Sequence, residues 1–221
     1  AGRGHRFRTT AAWFVVGGVL GGLTLGGAAA LVAAGLRAVD LTVDARLGIG
    51  AVLAVLTASV DLGVAGVTLP IFKRQVDDAW LRRYRGWVYG AGFGWQIGVG
   101  VATYIMTAGV FLTVGLAVLT ASPLAALAVG ATFGLVRGSA VLLGRQATTP
   151  AALGEVHRRL EAAGPWSRGA AAAIQVLAAA VLAGLAWHPL AGGAVAVALG
   201  GAGLLGRTRR AEPRVASPAP S

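Results

Sequence analysis

Cysteine is absent from all 221 residues, which excludes disulfides, thiolate metal sites and thiol redox chemistry in any compartment. Charge is scarce as well. Only 12% of residues are Asp, Glu, Lys or Arg, about half of what a soluble domain carries. A chain that is 56% hydrophobic with mean hydropathy +0.73 cannot coat itself with enough charge to stay dispersed in water. Hydrocarbon is the solvent it suits. Acidic residues are scarcer still, eight against nineteen basic ones, and only Asp61 lies within an apolar run. No H-E-x-x-H, G-x-S-x-G or G-x-x-x-x-G-K occurs, nor do two carboxylates within one run, so neither enzyme chemistry nor a bound cofactor or metal is expected. Asp77 and Asp78 are adjacent, but without further spaced aspartates they read as a solvated charge pair rather than a Mg²⁺ site.

What is present in quantity is glycine, 35 residues, set in long apolar runs. These runs predict an all-α polytopic membrane bundle with about six spans near 11–36, 47–70, 86–121, 124–144, 169–187 and 190–206. A basic N-terminus (1–10) precedes the single membrane domain (11–206), and a Pro/Ala/Ser-rich tail (207–221) that reads as disordered follows it. The first run is too long for a signal-peptide core and leads directly into further spans, which makes it a retained helix. Pro70 is expected to end the second span, and Gly164 with Pro165 to separate a surface amphipathic helix over 150–163 from the fifth span.

The net charge of +11 does not point to nucleic acid, because the basic residues sit in clusters between the apolar runs. With six spans, sixteen of the nineteen fall on one side and two on the other, with Arg137 inside a span. That asymmetry places both termini in the cytoplasm of a plasma (inner) membrane protein.

The run 86–121 carries most of the information. Gly86, Gly90, Gly94 and Gly98 recur every fourth residue and form a stripe against which another helix could pack closely. Gly92, Gln96, Gly100, Thr103 and Thr107 form a second small or polar stripe, so the segment is expected to be the central helix, packed on two sides. Its 36 residues would span about 54 Å, well beyond a hydrocarbon core of about 30 Å. Either its first turns project from the membrane, or it breaks or re-enters near Gly98 and Gly100.

Counting inward from the cytoplasmic ends puts Asp61, Gln96, Arg137 and Gln175 about 10–15 Å deep. They form a candidate polar layer, with Asp61 and Arg137 expected to pair. Such a layer is either a structural lock or a gate or binding site on a permeation route.

The stretch G-F-G-W-Q-I-G-V-G (Gly92–Gly100) inside a long glycine-broken helix, in a six-span chain of this size, resembles the LysE/CcdA-type superfamily of small membrane transporters and thiol carriers. The resemblance implies two three-helix halves, although no sequence repeat relates residues 11–121 to 124–206, and the missing cysteines remove its redox branch. Expected partners are the lipid bilayer, a small-molecule or ion substrate and, through glycine-rich faces, another protein. A small transporter-like or permease-like module is the leading reading, and a non-catalytic membrane assembly subunit the alternative.

Overall fold

In the computed structural model, which describes residues 7–64, 85–100, 107–145, 147 and 149–211, the chain is all-helical, with no strand among these residues. The helices are α1 (Phe7–Ala38), α2 (Val43–Leu62), α3 (Gly86–Val99), α4 (Gly109–Leu119), α5 (Pro123–Ser139, continued as a 3-10 turn to Gly144), α6 (Pro150–Ala186) and α7 (Pro189–Ala211). Four of them, α1, α2, α5 with its 3-10 extension, and α6, are long and apolar enough to cross a membrane; α4 and α7 are shorter apolar helices. Local chemistry sets several boundaries. The hydroxyls of Thr42, Ser122 and Thr149 each accept the N–H three residues on, capping α2, α5 and α6, and the last two are followed by proline at the first helical position.

Three expected boundaries are wrong. The second span was expected to reach Pro70, but α2 stops at Leu62. Gly63 takes the left-handed conformation at φ 72° and its N–H returns to Ser59 and Val60, a glycine C-cap that ends the helix before any proline can. Residues 65–84, including Pro70, Asp77 and Asp78, lie outside the described residues. The stop at Gly164 and Pro165 does not occur: α6 runs unbroken for 37 residues through Pro165. The preceding glycine has no Cβ to clash with the proline ring, and Ser167 Oγ donates to the Gly164 carbonyl at 2.9 Å. Finally, α7 continues to Ala211, into the segment expected to be tail.

The first part of α6 is polar. There Glu155 accepts from Arg159 at 2.8 Å and from Arg158, and these bonds hold its carboxyl below the usual range. Trp166 is 83% exposed at the junction with the apolar part, as an interfacial anchor would be.

The interior is built from small residues. Its buried clusters are Ala29, Ala30, Ala33, Ala117 and Ala126 in one place, and Ala54, Ala58, Ala179, Leu112 and Leu199 in another. Large apolar side chains such as Leu31, Leu124, Leu190 and Val197 face outward. In hydrocarbon an exposed leucine costs nothing, so helices gain by approaching closely rather than by hiding large side chains.

The helix that packs through glycine on two faces is α1, while the segment 86–121 is itself flanked on more than one side, α3 by α1 and α5 and α4 by four helices. One face of α1 meets α3 in parallel, with Thr10 beside Gly90, Phe14 beside Gly94 and Gly18 beside Gly98. Its other face meets α5 in the antiparallel sense, with Gly18 on Gly134 and Gly138, Gly22 on Gly130 and Gly134, and Gly26 on Gly130. All four glycines of the α3 stripe are buried. A second group forms as α2 packs on α6 and α6 on α7, and the short α4 touches α1, α2, α5 and α6.

A Cβ built on Gly22 would lie 2.7 Å from the Gly134 Cα, and one on Gly98 2.9 Å from the Gly18 Cα, whereas one on Gly27 meets nothing within 4 Å. We therefore expect Gly22→Ala and Gly98→Ala each to destabilise the detergent-solubilised protein by about 1–3 kcal/mol in unfolding measurements, and Gly27→Ala to leave it unchanged.

Candidate functional site: a helix broken between two half-buried charges

The run 86–121 is two helices. α3 ends at Val99, and Gly100, at φ 75°, closes it with an N–H to the Ile97 carbonyl at 3.1 Å. Glycine is required there twice over, because φ is positive and because a Cβ would meet the Phe133 ring at 2.8 Å. Residues 101–106, including Thr103 of the second stripe, lie outside the described residues, and helix resumes at Gly109. α4 continues in the direction of α3, carrying Ala117 to the cluster of Ala29, Ala30 and Ala33 farther along α1.

A helix interrupted within the bundle exposes carbonyls at the end of its first half and N–H groups at the start of its second. In an apolar surrounding each unsatisfied group costs several kcal/mol. Two half-buried charges answer these two needs. Arg137, from the last turn of α5, donates its Nε–H to the Ile97 carbonyl at 2.8 Å, and its guanidinium stacks 5.3 Å over Phe133, the ring that closes on Gly100. A cation thus lies at the negative end of α3. Asp61, in the last turn of α2, accepts the Ala108 N–H at 2.8 Å through Oδ1, so an anion lies at the positive end of α4.

Asp61 Oδ2 accepts two further bonds at 2.6 Å, from Thr107 Oγ1 and from Gln175 Nε2 on α6. Thr107 Oγ1 in turn accepts the Gly109 N–H at 2.8 Å. The carboxylate sits at the unfavourable end of its own helix and is held by three donors from elsewhere. Gln175 is 2% exposed and also donates to the Ala171 carbonyl at 3.2 Å; its Oε1 is buried with no hydrogen-bond partner among the described residues.

The far end of α4 is held from α2 as well, where Arg46 donates to the Thr120 carbonyl at 3.3 Å. α2 therefore brackets α4, with its carboxylate at the N-terminus and a guanidinium at the C-terminus. Both signs suit the helix dipole.

Compared with protein-family models, curated proteins and solved structures, the chain matches none. The geometry alone must carry the functional reading.

Of the four residues of the expected polar layer, Asp61 and Gln175 are brought together, and Arg137 is placed on the other side of the break. Gln96, next to Ile97, is half-buried and bonds to none of the other three. Asp61 and Arg137 do not pair, because each serves a different helix end. Depth along the spans could not reveal this; the ends of α3 and α4 became the better partners only once the helix was broken. Thr107 belonged to the polar stripe but not to the layer, and Arg46 belonged to neither. Their one signal was the excess length of the run between Gly86 and Ala121.

Asp61→Asn would turn an amide N–H toward donors, and Arg137→Gln would release a helix-end carbonyl. Each is expected to cost about 1–3 kcal/mol. Because the two act on separate partners, the double variant should be additive within about 0.5 kcal/mol in a double-mutant cycle. Recovery of stability in the double variant would instead restore the direct pair.

Proposed function

We propose that the chain is a small transporter-like or permease-like module of the plasma (inner) membrane, crossing it six times with both termini in the cytoplasm. In this reading α3 and α4 together form one discontinuous third crossing, and α6 and α7 form the last two. The observation that carries the proposal is the broken helix with Asp61, Thr107 and Gln175 gathered on its second half. Discontinuous helices whose half-helix ends face polar groups are how secondary transporters build substrate and ion sites, and irregular backbone at membrane depth is otherwise disfavoured. The buried Oε1 of Gln175, without a partner among the described residues, gives such a site an acceptor for the N–H or O–H of a small substrate. The layout resembling LysE/CcdA-type transporters agrees with this reading.

The alternative, an assembly subunit docking through glycine faces, is less well supported. The stripes of α1, α3 and α5 that would serve it are occupied by one another. Helix directions agree with the charge asymmetry. The start of α1, the start of α3 and the end of α5 meet at one end of the bundle, where Arg8, Arg85 and Arg145 gather, while Arg37 and Arg46 lie at the other.

Two measurements test this. A reporter fused after Arg210 should be active only in the cytoplasm, and activity on the other side would end the six-crossing topology. Because the chain has no cysteine, Thr107→Cys gives a single thiol. On the transport reading it should react in intact membranes with a small charged methanethiosulfonate reagent, as a water-accessible site would. Complete inertness under all conditions, with the thiol reactive after denaturation, would mark the site as a dry structural lock.

A further inference from the structure

The end of the bundle where α1 begins carries a second feature, independent of the broken helix. A groove of about 650 Å³ runs between the first turns of α1 and the 3-10 extension of α5. Its floor is Ala11, which is 3% exposed, its sides include Phe7, Ala12 and Leu142, and Arg8 and Arg145 stand at its rim. Neither arginine forms an ion pair among the described residues, where the only pairs are those of Glu155. Arg8 lies one turn from the apolar floor, so the charged rim and the trough are stacked along the helix axis, about 5 Å apart.

We propose that this groove binds an anionic phospholipid, its phosphate between Arg8 and Arg145 and an acyl chain along Ala11 and Ala12. The shape and charge together select this occupant. A free phosphate would use the rim but has no need of an apolar trough, and a zwitterionic lipid would fill the trough but gain little from two unpaired guanidinium groups. Arginine forks suit phosphate oxygens, and a basic pocket between membrane helices at the headgroup level matches an anionic headgroup. The small side chains of Ala11 and Ala12 are what leave room for the chain.

The test uses the purified full-length protein in a neutral detergent, with phosphatidylglycerol, phosphatidylcholine or inorganic phosphate added, read by retained lipid in native mass spectrometry and by melting temperature. Two arginines at an anionic headgroup correspond to a preference for phosphatidylglycerol over phosphatidylcholine of about 30-fold. The double variant R8Q/R145Q should lose most of that preference, whereas R8K/R145K should keep much of it. Ala12→Phe should fill the trough and reduce phosphatidylglycerol binding with the lipid-free melting temperature unchanged. An undiminished preference in R8Q/R145Q would overturn the proposal, as would full lipid binding by Ala12→Phe. So would stabilisation by inorganic phosphate equal to that by the lipid, which would mark a simple anion site.

Discussion

A helix that breaks inside an apolar bundle must find partners for the backbone groups it releases, and much of this structure is arranged to provide them. The break after Val99 leaves carbonyls on one side and N–H groups on the other. Arg137 reaches the first from α5, and Asp61, on α2, takes the second with help from Thr107 and from Gln175 of α6. Three neighbouring helices are thus committed to the interruption between α3 and α4. A continuous helix would satisfy its own backbone without these side chains, so it is the interruption that fixes their positions.

Close packing makes that arrangement possible. Arg137 can reach α3 only because α1, α3 and α5 lie against one another on glycine, with backbone meeting backbone at Gly18, Gly22, Gly98 and Gly134. The other group, α2 with α6 and α7, packs on alanine and on leucines such as Leu112 and Leu199. α4 lies between the groups and is tied to α2 at both ends. It is the shortest of the described α-helices, tied at both ends by polar contacts and packed into both apolar clusters through Ala117 and Leu112.

The placement of charge follows from the same economy. A buried ion pair between Asp61 and Arg137 would cost two desolvations for one contact. Separated, each ion neutralises the end of a helix dipole and satisfies backbone groups that otherwise have no partner. Asp61 also gathers a hydroxyl and an amide around one carboxylate, and the neighbouring Gln175 retains a carbonyl unused among the described residues. That combination gives the site its chemical character, polar and anionic on the side of α4 and cationic on the side of α3.

The sequence by itself determined the class. Scarce charge and long apolar runs demand a lipid solvent, the absence of cysteine closes off thiol chemistry, and the excess length of 86–121 requires either that its first turns project from the membrane or that it break near Gly98 and Gly100. The stripes Gly18-Gly22-Gly26 and Gly86-Gly90-Gly94-Gly98 are visible as patterns because helical periodicity is local. Which stripe meets which is not local, and only the tertiary structure decided that α1 lies between α3 and α5, with glycine contacts on two faces. It also decided that Gly63 ends α2 and that Pro165 does not end α6, since a helix stop depends on what the freed groups can find nearby. The polar residues Asp61, Arg137 and Gln175 stand out in the sequence because their burial is expensive. The Ala108 N–H and the Ile97 carbonyl that they hold do not, because every residue has such backbone groups and they become distinctive only where a helix ends.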